Sequence, residues 1–140
     1  PEAQADAVQT ATRHILEVVD DLIALRETTG KTLHLDVEPE PDGILENSPE
    51  FIGWYETVLQ PAANQFFAEK RHFSQTETRE RLRDHVRLCY DVCHFAVGYE
   101  QPADVLAALE QAGIRVGKIQ VSSALKVDLT STFSEKITAL

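Results

Sequence analysis

The chain contains no methionine, one tryptophan and two cysteines among its 140 residues. It is also poor in positive charge: 13 Lys and Arg stand against 23 Asp and Glu, a formal net charge of −10. That balance disfavours polyanionic partners, because a nucleic-acid backbone is held by a basic face. The one basic concentration, Lys70, Arg71, Arg79, Arg81, Arg83 and Arg87, is interleaved with Glu69, Glu77, Glu80 and Asp84. Such interleaving is the pattern of a solvated helix face with ion pairs three or four residues apart. No apolar run approaches the roughly 20 residues of a membrane span, and no basic-then-apolar leader opens the chain. Cys89 and Cys93, four apart in an alternating segment, would stand about 13 Å from each other at about 3.3 Å per residue, too far for a mutual disulfide. Free thiols fit a reducing compartment, so the expectation is a cytoplasmic protein whose cysteines act as small buried apolar groups.

What is present is a helix–strand rhythm. Residues 4–28 read as an amphipathic helix, with Val8, Ala11, Ile15, Val18, Val19, Leu22 and Leu25 at three- and four-residue spacing and Gly30 past its end. The period then changes to two over Lys31–Glu38. Leu33, Leu35 and Val37 share one face, and Thr32, His34, Asp36 and Glu38 the other. Pro39, Pro41 and the Pro41-Asp-Gly turn end that strand. Ser48 as cap and Pro49 in the first turn predict a helix through Phe51, Tyr55 and Leu59, broken or kinked at Pro61 and resumed over 62–69. Trp54 is expected to pack between that helix and the sheet, or to wall a pocket. Residues 76–85 form a charged helix. A second strand is expected over Arg87–Cys93, a helix over Gln101–Ala112, and a third strand over Gly117–Ser122. Residues 126–140 have weak periodicity and read as a tail or an incomplete last unit.

Strands separated by helices give successive parallel βα units. A doubly wound open sheet fits that pattern, as does part of a (β/α)8 TIM barrel. The polar endings of all three strands favour the barrel rim. A closed barrel needs roughly 250 residues. Together with the missing initiator Met, this leads to the expectation that residues 1–125 are a segment of a larger barrel. Glu38, Asp91 and Gln120 lie near the C-terminal ends of the three strands, on the face opposite the apolar one. Two carboxylates and an amide oxygen make a hard, oxygen-rich set suited to Mn²⁺ or Mg²⁺. Strand-end acids also serve as solvated loop caps, and that alternative stays open. Glu40 is a second candidate ligand, but it lies beyond Pro39. His34 and Asp36 sit deeper on the same face and could orient ligands. Lys118 could neutralise a carboxylate or meet a phosphate.

Val37-Glu-Pro-Glu-Pro-Asp-Gly43 and Tyr90-Asp-Val-Cys-His-Phe95 resemble the fifth- and sixth-strand motifs of the xylose isomerase-like barrel superfamily, which includes sugar and sugar-phosphate isomerases, 3-epimerases and the endonuclease IV group. Within it, Glu-Pro-Glu-Pro-Asp-Gly and Asp-Val-Cys-His-Phe are similar to the EboE metabolite-traffic family. The resemblance spans most of residues 1–125. It implies a divalent metal (Mn, Mg or Zn) on Glu38 and Asp91, with Glu38 as ligand or base. It implies His94 at the substrate, with Lys118 as a further substrate contact. Gln120 stands where the family pattern usually has a metal-binding His, and the family's last metal carboxylate belongs to an eighth strand that this chain is expected to lack. The implied functions are an isomerase or epimerase acting on a small polyhydroxylated metabolite, or a non-catalytic metabolite-binding protein of the EboE type. Part of a barrel leaves strand edges open, so self-association is expected of this chain, and activity is expected only in a longer parent.

Overall fold

The computed structural model describes residues 2–126. Its elements are α1 (Glu2–Thr29), β1 (Leu35–Val37), α2 (Ser48–Trp54), a π-helical turn (Tyr55–Leu59), α3 (Gln60–Arg71), α4 (Gln75–His85), β2 (Val86–Asp91), α5 (Val92–Val97), α6 (Pro102–Gln111) and β3 (Val116–Gln120). The expected tail at 126–140 lies, but for its first residue, outside the described residues.

The three strands form one parallel sheet in the order β1-β2-β3. The mixed α/β architecture is therefore the expected one. The described sheet is open, with no strand on the far side of β1 or β3. β1 pairs with β2 from Leu35↔Val86 to Val37↔Leu88. β2 pairs with β3 from Leu88↔Val116 to Asp91↔Gln120, with a register shift that leaves Gly117 as an extra residue. A side chain at Gly117 has no room: a Cβ there would lie 1.8 Å from Asp36 Oδ1 and 2.9 Å from Arg87 Cβ.

Leu35, Val37, Val86, Leu88 and Tyr90 line the sheet face that meets the helices, where Leu16, Val19, Ile23, Phe51, Leu59, Phe67, Leu82, Val105 and Leu109 complete the core. Trp54 belongs to this core, and its Nε1 donates to Thr12 Oγ1 at 3.1 Å. Packing, not a pocket wall, is what this side chain does.

Several boundaries differ from the sequence expectation, each for a local reason. The first strand is only three residues long: its partner β2 begins at Val86, opposite Leu35, and the Leu33 carbonyl is taken by His85 Nδ1 at 2.7 Å instead. The inward stripe of α1 is Thr12, Leu16, Val19, Asp20 and Ile23, whereas Val18 and Leu25 are 41% and 38% exposed. Two polar residues on that stripe hid its phase. Thr12 bonds back to Val8, and Asp20 receives Arg71 and Lys70. The helix beginning near 48 is capped by Asn47, whose side chain accepts from Glu50 N at 2.9 Å, and not by Ser48. Pro61 does not break it. The wider π turn immediately before Pro61 takes up the ring, so α2 and α3 run on as one rod. α4 opens on a capping box made by Ser74 and Glu77. Its charges, with those ending α3, tie to distant elements more than to one another: Lys70 and Arg71 reach Asp20, Arg71 reaches Glu27, and Asp84 receives Arg26 and Arg115. None of the described helices is long and apolar enough to cross a membrane.

Candidate functional site

The face of the sheet turned away from the helices carries Asp36 and Glu38 from β1 and its end, Cys89 and Asp91 from β2, and Lys118 and Gln120 from β3. Parallel pairing brings their C-terminal ends level, so Glu38, Asp91 and Gln120 meet. Gln120 Nε2 donates to Glu38 Oε1 at 3.0 Å and to Asp91 Oδ2 at 2.6 Å. Its Oε1 accepts from Lys118 Nζ at 2.6 Å. One amide thus joins two carboxylates and one ammonium. In this arrangement Gln120 presents N–H, not oxygen, to the space between the acids. It becomes a cation ligand only if the amide turns over.

Asp91 is the hinge of the cluster. β2 stops there because its carboxylate caps α5: Oδ1 accepts from Cys93 N at 3.0 Å and from the Ser122 hydroxyl. The Ser122 hydroxyl in turn accepts from Cys93 N at 2.9 Å. The Ser122 hydrogen bond, joined by Cys93 and His94, outweighs burial and holds the Asp91 carboxyl well below the usual carboxylate range. The second strand was expected to reach Cys93. Instead Cys93 and His94 sit in the first turn of α5.

That turn redirects both side chains. His94 Nδ1 lies 3.2 Å from Glu38 Oε1. The atom is buried and lacks the alignment of a hydrogen bond, which leaves it an unsatisfied polar group beside a carboxylate. Asp91, Cys93 and His94 each bring one donor atom to a common region, all within 4.8 Å of one another. Cys89 differs from Cys93. It is buried and directs its thiol at Glu38 Oε2 at 3.6 Å. Burial, with the Glu38 carboxylate beside it, pushes this thiol up to about 11, so with no cation bound it stays protonated at neutral pH and is no nucleophile.

The remaining sequence candidates fall around this centre. His34 Nδ1 pairs with Asp36 Oδ1 at 2.8 Å, deeper on the same face and over Gly117. Glu40 is exposed, and its backbone closes the 40–45 loop by bonds to Leu45 and Gly43. Lys118 is exposed and engaged with Gln120. A cavity of about 710 Å³ lined by Tyr90, Val92, Tyr99, Glu100 and Leu125 includes none of the clustered polar residues. Ser122 and Cys93 are the members that sequence reasoning missed as participants. The signal for them was an Asp followed two and three residues later by Cys and His, where a strand hands over to a helix.

Among the described residues, the donor atoms that lie close enough together for one ion are those of Asp91, Cys93 and His94, with Glu38 beside His94 and joined to Asp91 through Gln120. Compared with protein-family models, with curated proteins and with solved structures, the chain matches none, so its functional reading rests on this cluster.

Proposed function

We propose that this face is part of the strand-end rim of a xylose isomerase-like β/α barrel, one that holds a divalent cation and a small polyhydroxylated metabolite of the sugar or sugar-phosphate kind. The observation that carries the reading is the meeting of Glu38, Asp91 and Gln120 from three consecutive parallel strands. The strands lie in sequence order, as in a barrel wall. A doubly wound sheet reverses its order at the ligand site, and the described strands have no such reversal.

In this reading Asp91 and Glu38 hold the cation, and Gln120 joins them once its amide has turned. A divalent ion there (Mn²⁺, Mg²⁺ or Zn²⁺) would polarise a carbonyl and a neighbouring hydroxyl. Glu38 is the residue to move a proton beside that carbonyl, since it faces the open side of the sheet between Gln120 and His94. His94 would bind a substrate hydroxyl, and Lys118 a further substrate oxygen or a phosphate. The net charge of −10 speaks against a nucleic-acid substrate.

A second reading has its own support. Gln120 already engages both acids, and Lys118 engages Gln120. A site closed by its own hydrogen bonds suits a non-catalytic metabolite-binding protein of the EboE type. The discriminating experiment incubates ketoses, aldoses and their phosphates in D₂O with each cation and follows deuterium at the carbon next to the carbonyl by NMR. It is run on the protein that carries this segment in full. Metal-dependent exchange that disappears in Glu38→Gln and Asp91→Asn supports the isomerase or epimerase reading. Retention of a sugar without exchange supports the binding reading. No exchange and no retention removes both.

A further inference from the structure

We propose that Asp91, Cys93 and His94 form a mixed oxygen–sulfur–nitrogen site for a thiophilic divalent cation of the zinc class, with the Cys93 thiolate as a direct ligand. This rests on the reading that a cation sits at the strand ends, and it narrows that cation from Mn²⁺, Mg²⁺ or Zn²⁺ to the zinc class.

Three observations carry it. The donors of Asp91, Cys93 and His94 lie within 4.8 Å of one another. Bond lengths of about 2.0–2.3 Å at a tetrahedral zinc put its ligands roughly 3.3–3.8 Å apart, so small side-chain rotations close the set. Next, the three ligands come from four consecutive residues whose backbone is already fixed. Asp91 ends β2 and caps α5, and its Oδ1 and the Ser122 hydroxyl together hold Cys93 N. Little ordering is left for the ion to impose. Finally, the His94 ring is held at Nδ1 only by a 3.2 Å approach to Glu38 Oε1. Its buried Nδ1 has no hydrogen-bond partner, so turning it breaks none at that atom.

The alternative hard-oxygen set is less well prepared. Gln120 Oε1 is held by Lys118, and Gln120 Nε2 points at both acids. Thiolate and imidazole donors select zinc-like ions over Mg²⁺ and Mn²⁺. Two anionic ligands and a neutral imidazole balance a divalent ion, and the Cys93 thiol proton is released to solvent as the ion binds. Three protein ligands leave one coordination position open, as catalytic sites do. Glu38, beside His94, is at hand to act on whatever enters.

The test is a titration of the reduced chain with Co²⁺ in the absence of oxygen, followed by absorption, with circular dichroism checking each variant's fold. One equivalent of Co²⁺ is expected to bring up a thiolate-to-cobalt charge-transfer band and intense tetrahedral visible bands. Cys93→Ser is expected to lose the charge-transfer band, while Cys89→Ser keeps it. Zn²⁺ binding by Cys93→Ser should weaken by more than about tenfold, since losing even an outer partner of a ligand costs about that much. Stoichiometric Co²⁺ binding without the band, or a band that survives Cys93→Ser, overturns the thiolate site and leaves an oxygen-and-nitrogen cation site standing. Failure to bind Co²⁺, Zn²⁺ and Mn²⁺ alike overturns both.

Discussion

Asp91 gives each of its oxygens a different duty. Oδ1 starts α5 through Cys93 N and Ser122, and Oδ2 takes the Gln120 amide. Asp91→Asn keeps one oxygen for the cap but sets an NH₂ against the NH₂ of Gln120. Turning Gln120 over only moves the conflict to Glu38 and Lys118. A donor left facing a donor is expected to cost about 1–2 kcal/mol. Asp91→Ala opposes no second NH₂ to Gln120, but it loses the cap and leaves one Gln120 N–H without its acceptor, and is expected to cost about 1–3 kcal/mol. Urea unfolding of both variants checks this, and an Asp91→Ala stability equal to the parent's would show that the cap contributes nothing. At this scale the sequence was partly legible. Alternation placed Glu38, Asp91 and Gln120 on one face, and they do meet. It misassigned Cys93 and His94, because Leu88, Tyr90 and Val92 continue the period of two past the residue that ends the strand. A side chain that both closes a strand and caps a helix leaves no mark in apolar periodicity.

Short elements were the harder ones to read. α5 has only six residues, too few for its core-facing Val92 and Phe95 to declare a helical period between two recognised elements. The long helices and the parallel strands were legible because their patterns run far enough to declare a period. The shift at Gly117 was not, since its cause lies on β1: the Asp36 carboxylate occupies the space that a side chain at 117 would need. Gly117→Ala therefore has to push Asp36 off His34 or lift β3 away from β2. Overpacking of this kind costs about 1–3 kcal/mol. The displaced β3 would also carry Gln120 away from Glu38 and Asp91. Asp36→Ala placed on top of Gly117→Ala removes the nearest clash, while Arg87 Cβ remains at 2.9 Å, so a partial recovery of the thermal midpoint is expected. No recovery at all would place the strain elsewhere.

At the level of the molecule, the sheet left open among the described residues and the charge network set the behaviour. Ile119 and Val121 are 62% and 93% exposed on and just beyond β3. An apolar strand edge of this kind is a surface on which another copy can pair. Sedimentation should show concentration-dependent association, reduced by Ile119→Lys with Val121→Lys; a strictly monomeric chain contradicts it. Stability against pH should fall in two separate windows. His85 is fully buried, donating Nδ1–H to the Leu33 carbonyl at 2.7 Å. Burial lowers its pKa, with Arg26 and Arg81 acting the same way, against the carbonyl and Asp84. The unfolded chain therefore takes up this proton first, near pH 6.5, and the folded state loses stability as the pH drops from there toward the lower folded value. Burial works to raise Asp20 and Asp84, but Lys70 and Arg71 outweigh it at Asp20, and Arg26 and Arg115 at Asp84, leaving both lowered. Their contribution is complete above the unfolded value near 4 and disappears as the pH falls through the folded ones. Unfolding free energies measured by urea from pH 8 to 3 should be level at first, decline below about 6.5, and decline again below about 4. His85→Asn retains a donor for Leu33 and has no charge to gain, so it should abolish the first decline and keep the second. If the first decline persists in His85→Asn, another group titrates there and the buried histidine is not its source.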